Sequence, residues 1–118
     1  MIDVLPYIAE QLGSIADVEL SFNDCRRSLP CIILSELDNS ASVVLSGTDR
    51  YSLITLQLDI YDRDEETVRG IAAEVNEILA AKGIRRNFSQ FLTDEDVPRM
   101  CMRYRFGVDE ATGRTVSL

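Results

Sequence analysis

Between Tyr51 and Gly83 the hydrophobic period of the chain changes abruptly, and few folds satisfy both halves of that change. Ser52, Ile54, Leu56, Leu58 and Ile60 alternate with Tyr51, Leu53, Thr55, Gln57, Asp59 and Tyr61, the two-residue period of a half-buried antiparallel strand. From Val68 onward the apolar residues fall at Ile71, Ala72, Val75, Ile78 and Leu79, a single helical stripe. Asp62 is the expected N-cap, Glu65 follows three residues on, and Gly83 is the expected stop. Such a strand and helix bury facing surfaces against each other, so the spacing predicts a sheet with a helix across it.

The rest of the chain supplies more of both. Val4, Leu5, Ile8, Leu12 and Ile15 recur at helical spacing, with Pro6 in the first turn and Gly13 at the end. Val18 to Phe22 alternates as a brief strand, and Asn23 to Ser28 reads as a polar connection. Pro30 introduces a nearly continuous apolar run, and residues 29–37 are expected to lie deep in the core as a central strand. Asn39 to Ser42 reads as a turn, Ser42 to Leu45 as a short strand, and Ser46 to Arg50 as a polar loop. Beyond Gly83, Ile84 to Thr93 reads as a strand containing a bulge. Met100, Met102, Tyr104, Phe106 and Val108 then alternate with Cys101, Arg103, Arg105 and Gly107. After a turn from Asp109 to Arg114, Thr115 to Leu118 returns as a short terminal strand.

These readings combine into an α+β fold, a twisted and mainly antiparallel sheet with two helices packed on one face. If the two long strands share that sheet, Thr55, Gln57 and Asp59 lie on the face away from the helices together with Arg103 and Arg105. At 118 residues, 46% of them hydrophobic, the chain is expected to be one domain over residues 1–118, large enough for a single core.

Charge and chemistry narrow the function classes. Twelve basic residues against 20 acidic give a net charge of −8, which disfavours nucleic acid and anionic membranes as partners. Eleven of the basic residues are Arg, a bias suited to planar ion pairs at subunit contacts and equally to a compositional drift. Cys25, Cys31 and Cys101 cannot all pair and lack zinc or C-x-x-C spacing, so a reducing compartment is expected. Neither a signal peptide nor a membrane span is legible.

Catalysis lacks parts. Arg26 and Arg27 would lower the Cys25 thiol pKa, yet the chain has no histidine to serve as its base. Asp94, Glu95 and Asp96 form an acidic turn without the further ligand spacing of a calcium loop, and Asp59 with Asp62 is explained more simply as strand end and helix cap. No catalytic, cofactor or metal residue is therefore assigned.

Four stretches resemble the tail-terminator (tail-completion) family of long-tailed bacteriophages and prophages: the proline-led apolar strand from Pro30 to Glu36, the long strand from Ser52 to Asp62, the helix from Glu65 to Leu79, and the closing strand from Arg103 to Val108. The likeness is one of apolar pattern and spans most of the chain. It implies a non-enzymatic virion protein that assembles with itself as a ring, commonly a hexamer. The ring caps the tail tube and receives the head connector, first in the host cytoplasm and then in the virion tail. The subunit or partner interface is expected at Asp49, Arg50, Thr55, Gln57, Asp59, Arg103 and Arg105. Two other readings remain open: another head-tail joint, such as a stopper or adaptor, and a non-viral small-molecule binder or enzyme using the concave side of the sheet.

Overall fold

A computed structural model of the chain describes residues 3–22, 28–43, 50–93, 97–109 and 112–116. These residues form helices α1 (Leu5–Leu12) and α2 (Glu65–Ala81) and strands β1 (Glu19–Ser21), β2 (Cys31–Val43), β3 (Arg50–Tyr61), β4 (Arg85–Leu92), β5 (Arg99–Asp109) and β6 (Thr115–Val116). All six strands belong to one sheet in the order β1-β2-β3-β5-β4, with β6 pairing β5 beyond the end of β4. Every pairing is antiparallel except β1 with β2. The α+β class expected from the pattern is therefore the observed one.

Central position follows from two-sided pairing. Along β3, Ser52, Ile54, Leu56, Leu58 and Ile60 are opposite Val108, Phe106, Tyr104, Met102 and Met100 of β5, and all ten are buried. The apolar parity of both strands thus falls on one face, where Val68, Ile71, Ala72, Val75 and Leu79 of α2 meet it. Ile8 and Leu12 of α1 complete the same core.

Both ends of α2 are held by identifiable bonds. The N-cap is Asp64 rather than Asp62: its carboxylate accepts from the Thr67 backbone N–H at 3.3 Å and the Thr67 hydroxyl at 2.7 Å. Asp62 instead accepts from the Asp64 N–H at 3.1 Å and shapes the turn before the helix. At the other end Gly83, with φ of 77°, allows the Gly83 and Ile84 N–H groups to reach back to the carbonyls of Ala80 and Leu79, both at 3.0 Å. Ile84 is consequently fully buried beside Leu79, a hydrophobic anchor for the helix end.

β2 departs from the sequence reading. Asn39 to Ser42 is not a turn followed by a separate strand. The chain stays extended to Val43, in register with β3 through Val43 opposite Arg50, so Arg50 belongs to β3 rather than to a loop. A bulge at Leu37 accommodates the change from an apolar to a polar stretch, and backbone pairing to β3 overrides the turn preference of Asp38, Asn39 and Ser40. The same bulge leaves Leu37 49% exposed, so the deep burial expected as far as this residue stops at Leu34. β1 is shorter than the reading from Val18 to Phe22, and Phe22 is 51% exposed. The expected bulge in β4 is present at Asn87, between Arg86 and Phe88.

Replacing Leu56 or Val75 by Asp is expected to unfold the domain, since each would bury an unpaired charge at a cost of several kcal/mol. Replacing exposed Glu74 by Ala is expected to change stability by less than about 0.5 kcal/mol. Urea denaturation followed by circular dichroism separates the two classes.

Tyr104 provides a pH test of the same core. Burial, opposed weakly by Arg86, pushes its hydroxyl pKa up to about 12, and that hydroxyl donates to Asn76 Oδ1 at 3.3 Å. The protonated form is the one the fold favours, so this stability is complete below pH of about 10 and is lost as pH rises through about 12. Tyr104→Phe is expected to remove roughly 2–3 kcal/mol of alkaline sensitivity between those values, visible as a flatter dependence of the urea midpoint on pH.

Candidate functional site

The face of the sheet away from the helices carries the ordered polar side chains. Register, rather than proximity in sequence, assembles them. Thr55 is opposite Arg105, Gln57 opposite Arg103, and Asp59 opposite Cys101. β4 adds Arg85 beside Arg105, Phe88 beside Arg103, and Gln90 beside Cys101. Thr55, Gln57, Asp59, Arg103 and Arg105 thus share this face, as their parity requires.

A continuous chain of contacts runs across it. Arg103 Nε donates to Gln57 Oε1 at 3.0 Å, and Gln57 Nε2 in turn donates to Asp59 Oδ2 at 2.9 Å. A single glutamine therefore links the exposed arginine to the buried carboxylate, accepting with one end of its amide and donating with the other. The Arg103 guanidinium also lies 5.1 Å from the centroid of the Phe88 ring, close enough for cation–π attraction, although Phe88 is itself 39% exposed.

Burial on this face is graded. Cys31, Asp59, Tyr61 and Cys101 are all buried, whereas Arg103 and Arg105 are exposed. The carboxylate at the buried end is Asp59, whose Oδ1 lies 3.5 Å from Arg99 Nη1. That distance exceeds a hydrogen bond, and Oδ1 accepts none, so the contact is a loose, shielded ion pair. Asp59 thus takes Arg99 as its cation rather than Arg103 or Arg105. Arg99 lies four residues before Arg103 on the same strand and the same face, a parity signal present in the sequence but masked there by the acidic turn just before it.

Cys101 completes the cluster. Its thiol pKa is raised, first by burial and then by the charge of Asp59 and the hydrogen bond to it, against smaller lowering from Arg103 and Arg99. An activated nucleophile requires the opposite shift. The Asp59–Cys101 contact therefore favours the protonated thiol.

Elsewhere, a groove of about 370 Å³ lies between α2 and β4, on the helix side of the sheet, with Arg69, Asn76, Glu77 and Arg86 on its walls. Arg69 is held there by Glu65 at 3.0 Å and lies 4.7 Å from the Phe91 ring centroid. Asp59 and Asp62 are committed to different partners, Gln57 with Arg99 and the Asp64 amide respectively. Among the described residues no three His, Cys, Asp or Glu side chains converge as a metal site, and no helix is long and apolar enough to cross a membrane. Asp49, Cys25, the acidic turn of Asp94, Glu95 and Asp96, and all of the expected loop before Arg50 lie outside the described residues.

Neither a scan against protein-family models nor a search of curated proteins finds a match to this chain.

Asp59→Ala is expected to cost roughly 2–3 kcal/mol of folding stability, because it removes the acceptor of Gln57 and the counter-charge of Arg99 from a shielded position. Asp59→Asn, which keeps an acceptor, is expected to cost less. Urea denaturation of both variants reads the difference, and equal losses would mean that the charge carries the contribution and the retained acceptor none.

Proposed function

We propose that this chain is the subunit of a ring that closes the tail tube of a long-tailed phage or prophage and presents the finished tail to the head connector. The observation that carries the reading is the polar sheet face: one side of the sheet is sealed by both helices, and the other holds Arg103 in a fixed pose through Gln57 and Phe88. Solvent alone does not require such an arrangement, since exposed arginines gain little from order. A docking partner does, because a guanidinium already held in place loses less entropy when it pairs across an interface.

Two further features support it. The molecule extends 49 × 26 × 23 Å, a blade built on the long β2, β3 and β5 strands, which suits a wedge repeated around an axis. The net charge of −8 suits a ring through which DNA passes, since like charge limits adhesion of the phosphates to the wall. The protonated Cys101 thiol beside Asp59 supports a structural rather than a catalytic role for the same face.

The test is the double change Arg103→Ala with Arg105→Ala. Both side chains are exposed, so the subunit is expected to fold as the wild type does, judged by its thermal midpoint. Ring formation or tube capping is expected to weaken by about 2 kcal/mol or more, leaving tails of uncontrolled length in electron micrographs. Normal capping by the folded double variant would remove this face from the interface.

A further inference from the structure

The register carries a second pattern that runs across the sheet rather than along it. On the polar face, one row of cross-strand neighbours reads Asp38, Thr55, Arg105, Arg85 from β2 to β4. On the helix face, the adjacent row reads Glu36, Leu56, Tyr104, Arg86. Both rows begin with a carboxylate on β2 and end with a guanidinium on β4. Strands lie about 4.8 Å apart, so each pair of opposite charges is separated by about 14 Å within one subunit.

Both of these strands have open sides. Among the described residues no strand covers the outer side of β4, and β1 covers β2 only from Cys31 to Ile33. Residues 85–90 of β4 are all exposed. Arg85 stands directly opposite Arg105, a like-charge pair that disfavours the isolated subunit, and neither of them nor Arg86 has an ion pair among the described residues.

We infer that the subunits join edge to edge, with β4 of one copy adding antiparallel to β2 of the next, so that Arg85 and Arg86 meet the neighbour's Asp38 and Glu36. This mode of closure rests on the ring reading above. The alternation of strand directions supports it: β2, β3, β5 and β4 run alternately, and a neighbour in the same orientation places its β2 antiparallel to β4. The contact is heterologous, joining two different edges, and so generates a ring when the rotation closes. Each edge also carries a bulge, at Leu37 and at Asn87, which blunts indiscriminate strand addition. Backbone pairing alone is therefore short, and the opposite charges select the partner. One sheet would then continue around the ring, setting the polar faces of successive subunits side by side as a single docking surface.

Charge exchange tests the inference. The variant Arg85→Glu with Arg86→Glu carries two acidic edges, and the variant Glu36→Arg with Asp38→Arg carries two basic ones. Each alone is expected to lose ring formation at concentrations where the wild type assembles, its apparent association weakened at least roughly tenfold. Mixed in equal amounts, every edge of one variant again meets an opposite edge of the other, so rings with an even number of alternating subunits are expected by native mass spectrometry. The four changes combined in one chain are likewise expected to restore assembly, which also answers a loss caused by misfolding of either single-edge variant. Assembly of either variant alone like the wild type, or failure of both the mixture and the combined chain, would overturn the edge contact while leaving tube capping by the wild type intact. A wild type that forms rings through these edges but never caps tubes would retain the edge contact and remove the tail role. A wild type that is monomeric at all concentrations, with and without tail tubes, would remove both.

Discussion

Pairing of β3 with β5 is the constraint on which the remaining structure depends. It aligns four apolar residues and the buried Ser52 of β3 with five apolar residues of β5 on one face, without a register break from Tyr51 opposite Asp109 to Tyr61 opposite Arg99. A slip of one residue would set the apolar residues of one strand on the face opposite those of the other and bring either Asp59 of β3 or Arg103 and Arg105 of β5 under α2, so register here is specified by the cost of burying charge. Everything else is laid against this pair. β2 extends it on one side, β4 and β6 on the other, and α2 crosses its apolar face with its end fastened by Gly83 and the buried Ile84. Thr115, donating to the Lys82 carbonyl at 2.9 Å, ties the terminal strand to the same helix end.

The polar face is a consequence of that register and not a separate construction. Once the apolar parity is committed to the helices, the intervening residues must face outward, and their order along each strand decides what they do. Asp59 and Cys101 fall where the face is buried, so they pair with Arg99 and with each other. Gln57 and Arg103 fall at its margin, where an amide can reach both the buried carboxylate and the exposed guanidinium. Arg105, one step further out, has Thr55 and Arg85 as its cross-strand neighbours. The gradient from a buried cluster to exposed, like-charged arginines supports the proposal that the outer part of this face meets a partner bearing carboxylates.

Period two and period 3.6 made β3, α2 and β5 legible in the sequence, since each element buries a single face and the pattern survives intact. The shared face of Thr55, Gln57, Asp59, Arg103 and Arg105 was legible for the same reason. What was hidden depends on neighbours that sequence does not display. Asp38, Asn39 and Ser40 have turn chemistry, and only pairing with β3 keeps them extended. Asp62 and Asp64 are equally good caps by type, and the choice turns on which carboxylate lies within reach of Thr67. The bulge at Asn87 shifts the parity of β4, which concealed that Phe88 lies beside Arg103 and Arg85 beside Arg105. The opposed charges on the two sheet edges emerge only once strand order is known, because Glu36 and Arg86 are distant in sequence and never touch within one subunit.

We propose a subunit that closes on copies of itself at the end of a tube. Sedimentation velocity of the wild-type protein across a wide concentration range, with and without purified tail tubes, tests it most directly. A single closed species of discrete mass is expected, favoured by concentration or by the tube and bound only at tube ends. A monomer under every condition, or an open series of ever larger species that ignores the tubes, would contradict it.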